Sequence, residues 1–338
     1  MPLTQTALVV SEIGKPVVLR HDHPVPEPGP KQVQLKVTVA GINPHDQKNR
    51  DNGIFIAGDL PGVLCNDVVG IVAALGENVT EFALGDRVVS QAGLYKRSVQ
   101  NDVGAAARIP DSITDDEAAT LPTNVIAPLV AFFSELQIPA PWSSGAEGFD
   151  YANAMLLVIG GGSNCGRFGV QLAKLVGIGK IVVVGGDETE LKSFGATHVI
   201  DRHAGEDAIL GHIKDVVGDD LVYAFDAVNP PAGQSLAIDA LSSQRRGSLA
   251  RLLSRGTIDE SLVHQKEAGY NLRDVLGISQ LHPDMATEFW TRLPAYLEDG
   301  SIKPLGFVVS HGLDADHVNE VLDRYRDGHA VTKTHVHL

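Results

Sequence analysis

The sequence predicts an α/β chain in which a β-rich N-terminal unit precedes a doubly wound parallel sheet. Three observations predict it. Residues 1–120 carry short β-branched runs separated by proline and glycine turns. From about residue 155, nearly all-apolar strands alternate with amphipathic helical stretches, the pattern of a parallel sheet covered on both faces. Where the first of those strands ends, the chain reads LLVIGGGSNCGRFGVQLAKL (156–175): a strand enters a clump of glycines and leaves it as a helix.

In chain order, the first unit reads as strands at ALVV (7–10), QVQLKVTVA (32–40), VVGIVAALG (68–76) and GDRVVS (85–90), with PVPEPGP (24–30) as a rigid loop. DDEAATLPTNVIAPLVAFFSEL reads as helix, with acidic residues 115–117 suited to its N-terminus. A polar, turn-rich connection (135–153) leads to the alternation MLLVIG, RFGVQLAKLVG, IVVVGG, ELKSFG, HVID, AILGHIKDVVG and LVYAFDAV. Amphipathic helices follow at EFWTRLPAYLEDG and HVNEVLDRYRDG, and AVTKTHVHL closes the chain as a strand. The expected division is 1–120, completed by 290–338, against a sheet domain at 121–289.

Composition narrows the function. The 338 residues hold 42 acidic and 27 basic side chains, a net charge of −15, which disfavours nucleic acid and anionic membranes as partners. No apolar run approaches the ~20 residues of a membrane span, and the N-terminus lacks a signal pattern. Two cysteines, Cys65 and Cys165, make neither a disulfide framework nor a four-cysteine zinc lobe. A cytoplasmic protein is expected, as monomer or homodimer.

The glycine clump has a physical purpose. Backbone amides at a helix N-terminus attract a pyrophosphate, and they can approach it only where side chains are absent. Gly160, Gly161, Gly162, Ser163, Asn164, Cys165 and Gly166 therefore form the expected cofactor turn of a Rossmann-type sheet. The usual G-x-G-x-x-G fails, because Cys165 stands where the third glycine would fall; a looser spacing through Gly166 survives. Cys165 reads as a small side chain tolerated beside the phosphates. The second strand ends in Gly185 and Gly186, where an NAD binder would carry an acidic residue. That leaves room for a 2′-phosphate, with Lys192 and Arg202 downstream as cationic partners or simply as solvated charge. NADPH is the expected cofactor, and Asp187 is a complication if its carboxylate points inward. No tyrosine is followed by lysine at the Tyr-x-x-x-Lys spacing, which excludes a short-chain dehydrogenase.

The segments AGINPHDQK (40–48), LPGVLCNDVVGIVAALGENVTEFALGDRVV (60–89), AATLPTNVIAPLVAFF (118–133) and GGGSNCGRFGVQLAKL (160–175) resemble the medium-chain dehydrogenase/reductase superfamily. The resemblance covers essentially the whole chain and implies a GroES-like first domain. It puts Asn43 where zinc alcohol dehydrogenases carry their first cysteine ligand and Asn66 where they carry a histidine. Residues 118–133 hold no cysteine, so a zinc-independent branch is implied.

NPHDQK is similar to the Asn-Pro-x-Asp-x-Lys motif of fungal trans-acting enoyl reductases, which maps catalytic roles onto Lys48 and Asn43. The resemblance extends the cofactor set to Pro44, Val331 and Thr332. Phe55 falls where mitochondrial-type enoyl reductases carry a tyrosine, and Ala127 where a threonine often stands; both are expected at the substrate pocket. The implied substrates are a small enone, an enoyl thioester or a quinone, with a polyketide synthase acyl carrier as a conceivable partner. A cofactor-binding fold used for a non-redox step, or as a partner subunit, stays open. Lys48 reads equally as an exposed loop lysine. The pairs His21/His23 and His335/His337 lack a third ligand nearby in sequence and read as incidental exposed histidines, with no metal.

Overall fold

The computed structural model describes residues 3–93, 101–264 and 266–338. The chain forms two compact units, residues 1–123 with 278–338, and residues 124–277. The second break falls ahead of the expected 289/290, because Ser279 N–H and hydroxyl both donate to Gln91 Oε1 (2.8 and 2.7 Å). The Trp290 indole donates to that same hydroxyl (3.1 Å).

The first unit begins with β1 (Thr4–Val10), β2 (Val18–Pro24), β3 (Gln32–Ile42), α1 (Pro44–Asn52), β4 (Gly62–Val63) and β5 (Asp67–Leu75). It continues through β6 (Arg87–Gln91), β7 (Asn101–Asp102), β8 (Ala106–Arg108) and α2 (Asp115–Ala119), and α3 (Pro122–Val130) spans the break into the second unit. The second unit holds β9 (Met155–Ile159), α4 (Asn164–Leu175), β10 (Lys180–Val184), α5 (Glu188–Phe194) and β11 (His198–Ile200). Then come α6 (Glu206–Val217), β12 (Tyr223–Asp226), α7 (Ser235–Ala240), β13 (Gly247–Arg251) and β14 (Tyr270–Asp274). The chain returns to the first unit for α8 (Pro283–Glu298), β15 (Phe307–His311), α9 (Ala315–Arg326) and β16 (Lys333–His337).

In the second unit six parallel strands run in the order β11-β10-β9-β12-β13-β14. Renumbered from β9, that is 3-2-1-4-5-6, the Rossmann arrangement. Its strand order reverses between β9 and β12, and ligands of such sheets bind outside the strand ends at that point. One layer of core packs Leu157, Val182, Ala224 and Leu249 of the sheet against Ile213 and Ile238 of the helices.

In the first unit a mixed sheet runs β15-β16-β3-β5-β6-β8, with β7 also on β3, beside a small sheet β2-β1-β4. The last strand, β16, pairs antiparallel with β3 and parallel with β15. Period-two alternation puts Val336 among Val10, Ile42 and Leu322 of the core. Lys333, His335 and His337 take the other face. His335 Nδ1 and His337 Nε2 both lie 2.9 Å from Asp116 Oδ1 on α2.

This corrects the expectation that the paired histidines are exposed: His335 is completely buried and His23 nearly so. The Phe307 ring stacks on His335 at 5.0 Å, and its Nε2 is buried with no partner among the described residues. Burial, partly offset by Asp116, pushes His335 down to about 4. Asp116 is held below the ordinary carboxylate range: burial works upward, and the hydrogen bonds with His337 and His335 outweigh it.

A depressed histidine pKa has a definite sign in stability. Above about pH 6.5 the unfolded and folded states both hold neutral His335; between there and about pH 4 only the unfolded state takes the proton. Stability is therefore expected to fall by about 3 kcal/mol as pH drops through that window. In His335→Gln the fall should shrink by about that amount, as read from urea denaturation at a series of pH values. An unchanged pH slope in the variant would assign the loss to other groups.

Candidate active site

The glycine turn lies at the C-terminal end of β9. Gly160 has φ +84°, and a Cβ there would stand 2.6 Å from Val228, which follows β12; the turn thus occupies the point where the strand order reverses. Ser163 caps α4: its Oγ accepts from Gly166 N–H (3.0 Å) and donates to Gly160 O (2.8 Å). The amides of Asn164 and Cys165 head the helix. Such amides form an anion cradle.

The missing third glycine has a geometric explanation. Helix and turn approach most closely at Gly166, where a Cβ would lie 2.2 Å from Gly160 O. Cys165 instead directs its sulfur towards Asn124 Oδ1, 3.9 Å away. The glycine requirement has moved one residue along.

At the end of β10, Gly185 and Gly186 have φ +78° and +103°. A Cβ on Gly185 would touch the Arg202 side chain at 3.3 Å, so Arg202 stands over this turn, and its Nε donates to His203 Nε2 (3.3 Å). Lys192 does not join it: its ammonium pairs with Glu188 one helical turn away (2.6 Å) and lines an open groove along β11 with His198 and Asp201. Asp187 caps α5 by accepting from Glu190 N–H (2.7 Å), which commits its carboxylate to the helix.

In the first unit, Asn43 heads α1. Its N–H donates to Asp46 (2.8 Å), and Pro44 occupies the first helical position, where a missing N–H costs nothing. This local chemistry puts Lys48 on a helix, partly exposed, rather than in the expected loop. Phe55 follows α1, partly exposed, with its N–H on Asn49 Oδ1 (3.1 Å).

Sequence reasoning did not find the centre of this region. Lys333 from β16 is 2% exposed, and its Nζ bonds Asp67 Oδ2 (2.5 Å) and Asn43 Oδ1 (2.8 Å). Asn43 Nδ2 donates to the same Asp67 oxygen (2.8 Å), and Thr123 N–H donates to the other (2.8 Å). Burial raises the Asp67 pKa, but Lys333 and the hydrogen bonds from Thr123 and Asn43 outweigh it, so the carboxyl is held below its ordinary range. Asp46, fully buried, also accepts from Cys65 N–H (2.9 Å). Burial first, then the Asp46 charge, push the Cys65 thiol well up, which makes it a poor nucleophile.

These donors do not fit a zinc ion. Asn43 is bonded to Asp67 and Lys333, while Asn66 accepts from or faces His45 Nε2 (2.9 Å) and donates to Ala92 O (2.8 Å). The Lys333 ammonium already neutralises Asp67, and a divalent cation would face that like charge. Among the described residues no group of three His, Cys, Asp or Glu could hold a metal.

Val331 packs into the core beside Val10, and Thr332 is exposed, its carbonyl accepting from Thr334 Oγ1 (3.1 Å). Ala127 is buried in α3, so close to Gly277 that a Cβ there would stand 2.6 Å from its Cα.

Fold and residues together define a medium-chain dehydrogenase/reductase, and the chain belongs to that superfamily. Residues 29–109 match the alcohol dehydrogenase GroES-like domain and residues 165–284 the zinc-binding dehydrogenase domain. Dehydrogenase orsE of Emericella nidulans is 30% identical over 94% of this chain and 94% of its own. Trans-enoyl reductase fsr4 of Gibberella fujikuroi is 27% identical over 83% of this chain and 84% of its own. A mycobacterial protein solved in complex with NADPH superposes with a TM-score of 0.73 at 20% identity, over 99% of this chain and 100% of that one. The two fungal relatives are oxidoreductases by name, and the fold supports a nicotinamide cofactor. No helix among the described residues is long and apolar enough to cross a membrane.

Removing one partner of a buried ion pair strands the other charge. Lys333→Met should therefore lower stability by about 3–5 kcal/mol, and pairing it with Asp67→Leu should recover most of that loss. Chemical denaturation of the single and double variants measures both. Equal instability in the two would mean that Lys333 contributes packing rather than charge.

Proposed function

We propose that this chain is an NADPH-dependent, zinc-independent reductase of α,β-unsaturated carbonyl compounds, with enoyl thioesters as the substrate class. The observation that carries the reading is the pairing of a glycine cradle at the strand reversal with Arg202 over Gly185. Gly160 to Gly166 would hold the pyrophosphate through the amides of Asn164 and Cys165, and Arg202 the 2′-phosphate. When bound, the cofactor supplies a hydride at C4 of its nicotinamide. Its acceptor would be the β-carbon, and negative charge would then develop on the carbonyl oxygen.

Lys48 is the residue we assign to that oxygen. Asn43 is 2% exposed and bonded to Asp67 and Lys333, so its role is to hold the head of α1 and not to touch substrate. Oxygen stabilisation thus rests on an ammonium where other enzymes of this kind use a phenol. Phe55 favours a second substrate class, quinones, whose reduction needs no protonation at carbon. An enoyl substrate fits the name of the trans-enoyl reductase relative.

The cofactor reading is tested by titrating NADPH and NADH into the protein. Arg202→Ala should weaken NADPH by about tenfold and leave NADH unchanged, the loss of one charge-assisted hydrogen bond. Wild-type protein that binds NADH more tightly than NADPH would overturn it.

Turnover is tested by NADPH oxidation against a panel of enoyl thioesters, enones and quinones. Lys48→Ala should lower kcat by a factor of about 100, with Lys48→Arg recovering part of it. A kcat within about twofold of wild type would remove Lys48 from the mechanism.

A further inference from the structure

A second polar cluster lies in the sheet unit, at the N-terminal ends of its strands, opposite the ends that carry the glycine turn. The turn follows β9, whereas Leu241 precedes β13 and Lys266 precedes β14, and all of these strands run parallel. There two lysines converge on one backbone oxygen. Lys214 Nζ donates to Leu241 O (3.1 Å), and Lys266 Nζ donates to the same oxygen and to Asp239 O (3.1 Å).

The two amines differ in what surrounds them. Lys214 has a carboxylate, Asp219 Oδ1 at 3.3 Å. Lys266 has only carbonyl partners among the described residues. The nearby carboxylates are committed elsewhere: Asp219 also accepts from Ser243 N–H and hydroxyl (2.8 and 2.6 Å), and Asp239 from His264 N–H with its ring nitrogen alongside (2.7 and 2.9 Å). A neutral amine has two N–H donors and one lone pair. Two carbonyls satisfy those donors completely and leave the lone pair pointing away from both. The site therefore accommodates Lys266 as free base, beside a lysine that is paired with a carboxylate.

We propose that Lys266 is an acylation site, a lysine nucleophile that takes acyl groups from thioesters. Its neutral nitrogen attacks the thioester carbonyl, the C–S bond breaks with loss of thiolate, and the proton that the acylated nitrogen sheds passes through water to the sulfur; an amide and a thiol result, with no change of oxidation state. Partial burial and the like charge of Lys214 both favour the reactive form and push Lys266 down to about 8, against smaller opposing effects of Asp239 and Asp219. The thioester could be the substrate class assigned above or any other, and the proposal stands without that assignment.

The test incubates the whole protein with S-acetyl-N-acetylcysteamine near neutral pH and follows each lysine by peptide mass spectrometry. Lys266 should acetylate about tenfold faster than the exposed lysines Lys15 and Lys36. A rate at or below theirs overturns the proposal. Lys214→Gln removes the neighbouring charge and frees Asp219, so Lys266 in that variant should slow towards the exposed rate. An unchanged rate in a variant with wild-type melting temperature overturns the activation by Lys214. Lys266→Arg should abolish the label at this position while NADPH binding stays as in wild type.

Discussion

The Lys333–Asp67 pair is the constraint on which the first unit depends. It joins the last strand of the chain to the start of β5, and through Asn43 to the head of α1. Both charges are out of water, so neither can be left alone without a large desolvation cost. That cost enforces the register of β16, since a one-residue slip would aim Lys333 at the core. The same register delivers His335 and His337 to Asp116. A single buried charge pair thus fixes the final strand, the α2 contact and the placement of the helix that carries Lys48.

Much of this was legible in the sequence, and the reasons are particular. Strands β9 and β10 are runs of buried aliphatic residues, and the glycine turn announces itself. Helix α1 does not: PHDQKNRDN has no apolar face, and its buried residues are Asp46, Gln47, Asn49 and Arg50. Periodicity cannot detect a helix whose interior side is polar. Lys333 was invisible for another reason. It meets Asp67 from 266 positions away, and a lysine in a polar-ended strand looks like solvent-facing charge. His335 misled in the same way.

In the sheet unit the glycine turns were legible as backbone features, whereas the charged residues near them were not. Lys192 and Arg202 are equivalent as letters, but Lys192 stands on α5 within reach of Glu188 and Arg202 does not. Similarly, Asp187 looked like an obstacle until its carboxylate proved to be a helix cap. Local helix chemistry decides both cases. The family resemblance could not, because it transfers positions and not hydrogen bonds.

The glycine pair at the end of β10 carries one more consequence. Dinucleotide-binding sheets are commonly retargeted between the two nicotinamide cofactors by exchanging the side chain at this place. Here both residues occupy a left-handed backbone that an L-amino acid enters only under strain. The space at this turn is consequently kept open by the path of the main chain, since a side chain at either position would strain the backbone. An acidic side chain could enter this place only if the loop were first rebuilt.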